Sequence, residues 1–148
     1  MKEAVIISVE GTQKFVGEDL QKMCIVTEGT MEYMGDTTLL SYEESELSGM
    51  EGTTTTFRIT DHHVTLERTG AVQSKMEFEK GLKDVSLYNV GFGALTIGVQ
   101  ARRLTNRIGP DGGHLEISYG IEIGEDTRGL NTFVIDVRKS GNTVESSI

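Results

Sequence analysis

The chain has 148 residues, one cysteine, one proline and 18 glycines, and its 14 Lys and Arg against 23 Asp and Glu give a net charge of −9. Phosphate backbones and anionic lipid surfaces are bound by clustered cations, so this balance argues against nucleic acid and membrane as partners. A chain of this length can bury a full core without staples, and a single thiol can form neither an internal disulfide nor a thiolate zinc site.

Met1-Lys2-Glu3-Ala4 leads into the short apolar run Val5 to Val9, closed by Glu10. That run is too short for a signal-peptide core, and no stretch reaches the length of a membrane span, so the expected location is cytoplasmic. It is also the first of ten strand candidates, read from period-two alternation broken by Gly-rich turns. They cover residues 4–11, 22–33, 37–48, 53–60, 63–69, 71–79, 84–90, 94–104, 114–123 and 131–139.

Leu20, Met23 and Cys24 follow Asp19 at helical spacing, which allows one helical turn at most. The β-branched run Ile25-Val26-Thr27 favours a strand. Cys24 is expected as a small apolar strand residue, with no neighbouring base to activate it. In the third candidate Leu40, Tyr42, Glu44 and Glu46 share one face, whereas the adjacent Glu43 and Glu44 face opposite ways. Two carboxylates two apart on a strand lie about 6.6 Å apart, a spacing compatible with inverting glycoside hydrolysis but common by chance.

The same parity places Thr53, Thr55, Phe57 and Ile59 together, then Val64, Leu66 and Arg68, then Val72, Ser74, Met76 and Phe78. His62 and His63 mark a turn. Leu95, Ile97 and Val99 share a face, and Arg102, Arg103 and Arg107 read as a solvated strand end. Gly109-Pro110-Asp111-Gly112-Gly113 lacks the Lys-Ser/Thr ending of a phosphate loop and reads as a hairpin turn, with His114 beside it. The three histidines read as solvated turn residues, so no metal site is assigned. The last two candidates alternate cleanly, with Leu115, Ile117, Tyr119, Ile121 and Ile123 on one face and then Phe133, Ile135 and Val137.

About ten short strands joined by short connections point to one all-β domain over residues 1–148. A sandwich needs a long crossing connection, so the expected architecture is a single antiparallel up-and-down barrel of about 8–10 strands. Residues 41–59, from Ser41-Tyr42-Glu43-Glu44 to Phe57-Arg58-Ile59, resemble the YwiB-like family of uncharacterised bacterial proteins. So do Arg68-Thr69-Gly70-Ala71-Val72, Ser74-Lys75-Met76-Glu77-Phe78-Glu79, Leu95-Thr96-Ile97-Gly98-Val99 and Asp111-Gly112-Gly113. The resemblance implies a lipocalin-like (calycin) barrel and carries over no catalytic or binding residue.

Parity gathers Tyr42, Glu44, Thr53, Thr55, Arg68 and Ser74 at one inward end, beyond an apolar zone of Leu40, Phe57, Ile59, Val64, Leu66 and Phe78. The cluster has two readings: a polar anchor for a small ligand, or a Glu44–Arg68 salt bridge with hydroxyl partners that plugs the barrel. Neither a nucleophile elbow nor a dinucleotide fingerprint occurs, so no catalytic residue and no cofactor is assigned. The expectation is a non-enzymatic binding protein for a small, partly apolar molecule, with Thr53, Thr55, Ser74 and Ser86 leaving the interior incompletely filled. The alternative is a protein-interaction scaffold with a filled core, acting through the acidic hairpin of Glu43, Glu46, Glu51 and Met50.

Overall fold

Alternating residues place one side chain in the core and the next in water, and Gly-rich turns reverse the chain before either pattern lapses. The computed structural model describes residues 2–89, 94–124 and 127–140. Its strands are β1 (Lys2–Phe15), β2 (Gln21–Tyr33), β3 (Thr38–Glu43), β4 (Thr53–Ile59), β5 (His63–Gly70), β6 (Ser74–Glu79), β7 (Lys83–Asn89), β8 (Ala94–Gly109), β9 (Gly112–Ile123) and β10 (Thr127–Lys139). They form one antiparallel sheet in the order β6-β5-β4-β3-β2-β1-β10-β9-β8-β7. The result is an all-β, nearly closed ten-stranded antiparallel barrel.

Every strand candidate has its counterpart, with corrections. The allowance for a helical turn at Leu20–Cys24 fails, because β2 begins at Gln21 and pairs with Gln13 of β1. Cys24 is on a strand as expected but is exposed rather than packed. The third candidate stops at Glu43. There Ser45 caps a 3-10 turn (Glu46–Ser48) by accepting a hydrogen bond from Leu47 N, and Gly49 closes it in the left-handed region at φ 77°. Glu46 is therefore exposed and shares no face with Glu44, which removes the carboxylate pair. The turn at Gly91-Phe92-Gly93 and the side chain of Ser86 lie outside the described residues.

The chain closes on itself through β1 and β10, paired from Val5↔Lys139 to Phe15↔Gly129. Strands β6 and β7 are the two sheet edges, and the seam between them carries no backbone ladder among the described residues. One side chain bridges it, Asp84, whose Oδ2 accepts from Glu77 N at 3.2 Å, and just beyond the seam the backbone Gly81 N donates to Ala101 O at 3.3 Å.

Strand lengths are unequal, and this shapes the lumen. β2 follows β1 along nearly its whole length but pairs with β3 only from Thr30 to Tyr33. At the point of divergence stands Gly29, where an added Cβ would lie 2.5 Å from Ser41 O and 2.6 Å from Ile7 Cδ1. Only glycine lets the two strands approach this closely. A bulge between Ala101 and Arg103 turns β8 over, so Ile97, Val99 and Ala101 are buried before it and Ile108 after it. The re-aimed Asn106 donates from Nδ2 to Thr60 O at 3.3 Å and ties β8 to the β4–β5 hairpin.

Candidate functional site

Three adjacent rows cross β3, β4, β5 and β6. Thr38, Ile59, Val64 and Phe78 stand side by side, then Leu40, Phe57, Leu66 and Met76, then Tyr42, Thr55, Arg68 and Ser74. The first two rows are buried, and their aromatic rings reach the opposite wall. Phe57 meets Phe133 edge-on with centroids 6.1 Å apart, and Phe78 lies 4.8 Å from Tyr119. One end of the barrel is filled.

The third row is polar, as parity requires. Thr55 Oγ1 donates to Glu44 Oε2 at 2.5 Å, and Arg68 Nε stands 4.0 Å from that same oxygen. The Glu44 and Arg68 side chains retain 1% and 12% of their exposure, which makes this a buried ion pair with a gap in it. Burial, reinforced by the Glu44 charge, pushes the Tyr42 hydroxyl far above the usual tyrosine range, so it stays protonated. Thr53 is absorbed by the fold: its Oγ1 accepts from Val72 N at 3.1 Å and closes the β5–β6 hairpin. Glu44 Oε1, Arg68 Nε, Ser74 Oγ and Asn131 Oδ1 are buried without a hydrogen-bond partner among the described residues. The structure thus brings together all six residues that parity singled out.

Beyond this row the barrel is hollow. A cavity of about 480 Å³ opens toward the β1–β2 and β3–β4 hairpins. Its walls are Leu66, Met76, Ile97, Ile121 and Phe133, Arg68 and Asn131 add polar groups, and Met23, Met50 and Leu95 stand near the mouth. Tyr119 and Asn131 escape a reading confined to β3–β6, because β9 and β10 supply them from the far wall. The available signal was Asn131, a polar residue on the inward parity of Phe133 and Ile135. Asn131 Nδ2 donates to Tyr119 Oη at 3.3 Å. Burial raises the Tyr119 hydroxyl, while Asn131 and the Arg68 charge pull it back.

The histidines need correction. His63 and His114 lie on strands, not in solvated turns, and each is held by carboxylates. His63 Nε2 contacts Glu77 at 2.5 Å and Nδ1 contacts Glu79 at 3.0 Å, while His114 Nδ1 contacts Asp136 at 2.7 Å. No group among the described residues could hold a metal ion. Arg102 lies not at a strand end but in an outer recess of about 170 Å³ with Lys83 and Arg128.

Partial burial lowers the His63 pKa, but the two carboxylates outweigh it and hold the ring above the ordinary value of 6.5. Its hydrogen bond to His63 holds Glu77 below 4.5. A raised folded-state histidine pKa stabilises the fold fully below 6.5, and that part is lost as pH rises through the folded value. The Glu77 contribution is instead lost as pH falls below 4.5 through its depressed value. Stability is therefore expected to decline on the alkaline side of 6.5, and His63→Gln should flatten that decline. A proton NMR titration of the His63 ring with its midpoint below 6.5 would contradict this account.

These features define a class: small antiparallel barrels filled at one end and hollow at the other, with a buried ion pair between. The chain belongs to the family described as Domain of unknown function (DUF1934), whose model matches residues 7–135. It is 23% identical over 94 residues to the uncharacterized beta-barrel protein YwiB of Bacillus subtilis (strain 168), and the match spans 64% of this chain and 64% of that relative. The crystal structure of the ywiB protein from Bacillus subtilis superposes with a TM-score of 0.78 at 16% identity, covering 94% of this chain and 93% of that one. At that identity the likeness shows the fold. The expected kinship with an uncharacterised bacterial barrel family holds.

Proposed function

We propose that this chain is a non-enzymatic, cytoplasmic binding protein whose barrel takes up one small, partly apolar molecule in the manner of a lipocalin. The observation that carries this reading is the cavity of about 480 Å³, apolar on its walls, with buried polar atoms of Arg68 and Asn131 left unpartnered. Ligand sites typically occupy about 300–1,000 Å³ and combine apolar walls with a few fixed polar groups. A core meant only to be filled would close such a volume, since interiors pack to crystal density.

A ligand that binds only the folded chain raises its stability by about 2.7 kcal/mol at a hundredfold excess over Kd. For a domain of this size that corresponds to a rise of about 5–10 °C in Tm. A panel of lipophilic probes should therefore contain members that shift the melting curve by this amount. A panel without effect would overturn the proposal. The scaffold reading draws support from the exposed apolar Val16, Leu20 and Leu47 on the hairpins at the open end. Met50, by contrast, turns in to line the cavity instead of presenting a tip.

A further inference from the structure

The sequence carries 23 acidic residues against 14 Lys and Arg, yet the cavity lining inverts that balance. The charged residues that line it are Arg68 and Lys22, both cations. Lys22 is an exposed rim residue already paired with Glu10 at 2.6 Å, so the deep charge is Arg68. Its counter-ion Glu44 does not line the cavity and is held behind it by Thr55. The lumen therefore faces the positive member of a neutral pair.

A guanidinium has five N–H donors in a planar fork. Among the described residues Arg68 Nε has no hydrogen-bond partner, and its ion-pair contact with Glu44 Oε2 is long, at 4.0 Å. Asn131 adds a second adaptable group. Rotating its amide by half a turn lets Oδ1 accept from the Tyr119 hydroxyl in place of the Nδ2 donation.

We infer that the molecule taken up carries a carboxylate on an apolar body, and that Arg68 binds its two oxygens side by side while the body lies against Leu66, Met76 and Ile121. A planar fork matches a carboxylate in a way that a point charge does not. This inference rests on the lumen being the binding site, and the experiment separates the two claims.

Three ten-carbon probes of equal length, decanoate, decanol and decylamine, are titrated calorimetrically at pH 8 against the full chain. The same titrations are run on the double variant Arg68→Met/Glu44→Gln, which removes the charge without leaving a lone buried carboxylate. Decanoate should bind at least tenfold more tightly than decanol. The double variant should lose that preference while keeping its affinity for decanol, which also shows that it is folded. If the double variant binds neither probe, Arg68→Lys takes its place, and decanoate should weaken at least threefold with decanol unchanged. Equal affinity for decanoate and decanol, or tighter binding of decylamine, would overturn the carboxylate and leave the lumen reading standing. Binding of none of the three to the unmodified chain would overturn both.

Discussion

Replacing Phe78 by alanine should destabilise the barrel by about 4 kcal/mol, the range for deleting a buried phenyl ring whose site cannot collapse. Phe78 is 0% exposed and sits on β6, one of the two edges that meet at the seam. Its ring lies 4.8 Å from Tyr119 on β9, so it spans the interior from an edge strand to the far wall. Elsewhere neighbouring strands are joined by backbone ladders that survive the loss of one side chain. Between β6 and β7 no such ladder exists among the described residues, and Glu77 N with Asp84 Oδ2 is a slender substitute. The loss should therefore be local as well as large. Denaturant melts should report the drop in stability, and amide hydrogen exchange should accelerate in β6 and β7 well before β1 and β10. A cost below about 1 kcal/mol would mean that the seam is held by something other than aromatic packing.

The strands and the polar row were legible in the sequence because both depend on a period of two that turns alone interrupt. From Thr38 to Glu79 three hairpins follow one another without a bulge. Counting parity along each strand was then equivalent to counting rows across the sheet. What stayed hidden was non-periodic or distant. The 3-10 turn after Glu43 depends on a serine hydroxyl reaching a backbone N–H two residues on, and it exposed Glu46 against the strand pattern. The bulge at Ala101/Arg103 flips β8 partway, so the alternation of Leu95, Ile97 and Val99 says nothing about Asn106. The hollow end was hidden for a different reason. It exists because β2 leaves β3 at Gly29 while β1, β9 and β10 continue, and relative strand lengths in a nearly closed sheet carry no local signal. Tyr119 and Asn131 join Arg68 through that geometry alone.

The two halves of the buried ion pair should respond unequally to mutation. Arg68→Met removes the cation paired with Glu44 among the described residues, and the carboxylate, 1% exposed, is left with the neutral hydroxyls of Thr55 and Tyr42. Stranding a buried carboxylate in this way is expected to cost about 3 kcal/mol. Glu44→Gln leaves the opposite orphan, but Arg68 lines the open cavity and can be hydrated there, so the cost should be nearer 1 kcal/mol. In the double variant Arg68→Met/Glu44→Gln neither charge remains, and more than half of the single-variant loss at Arg68 should be recovered. The coupling energy read from the four urea melts should therefore be at least about 2.5 kcal/mol and favourable. Additive losses would show that the 4.0 Å contact is geometric only and that each charge is stabilised by other groups. The inequality between the single variants carries the functional weight. A pair built only to plug the barrel would bury both partners alike, whereas here the carboxylate is sealed behind the wall and the guanidinium is left facing the space that a ligand would fill.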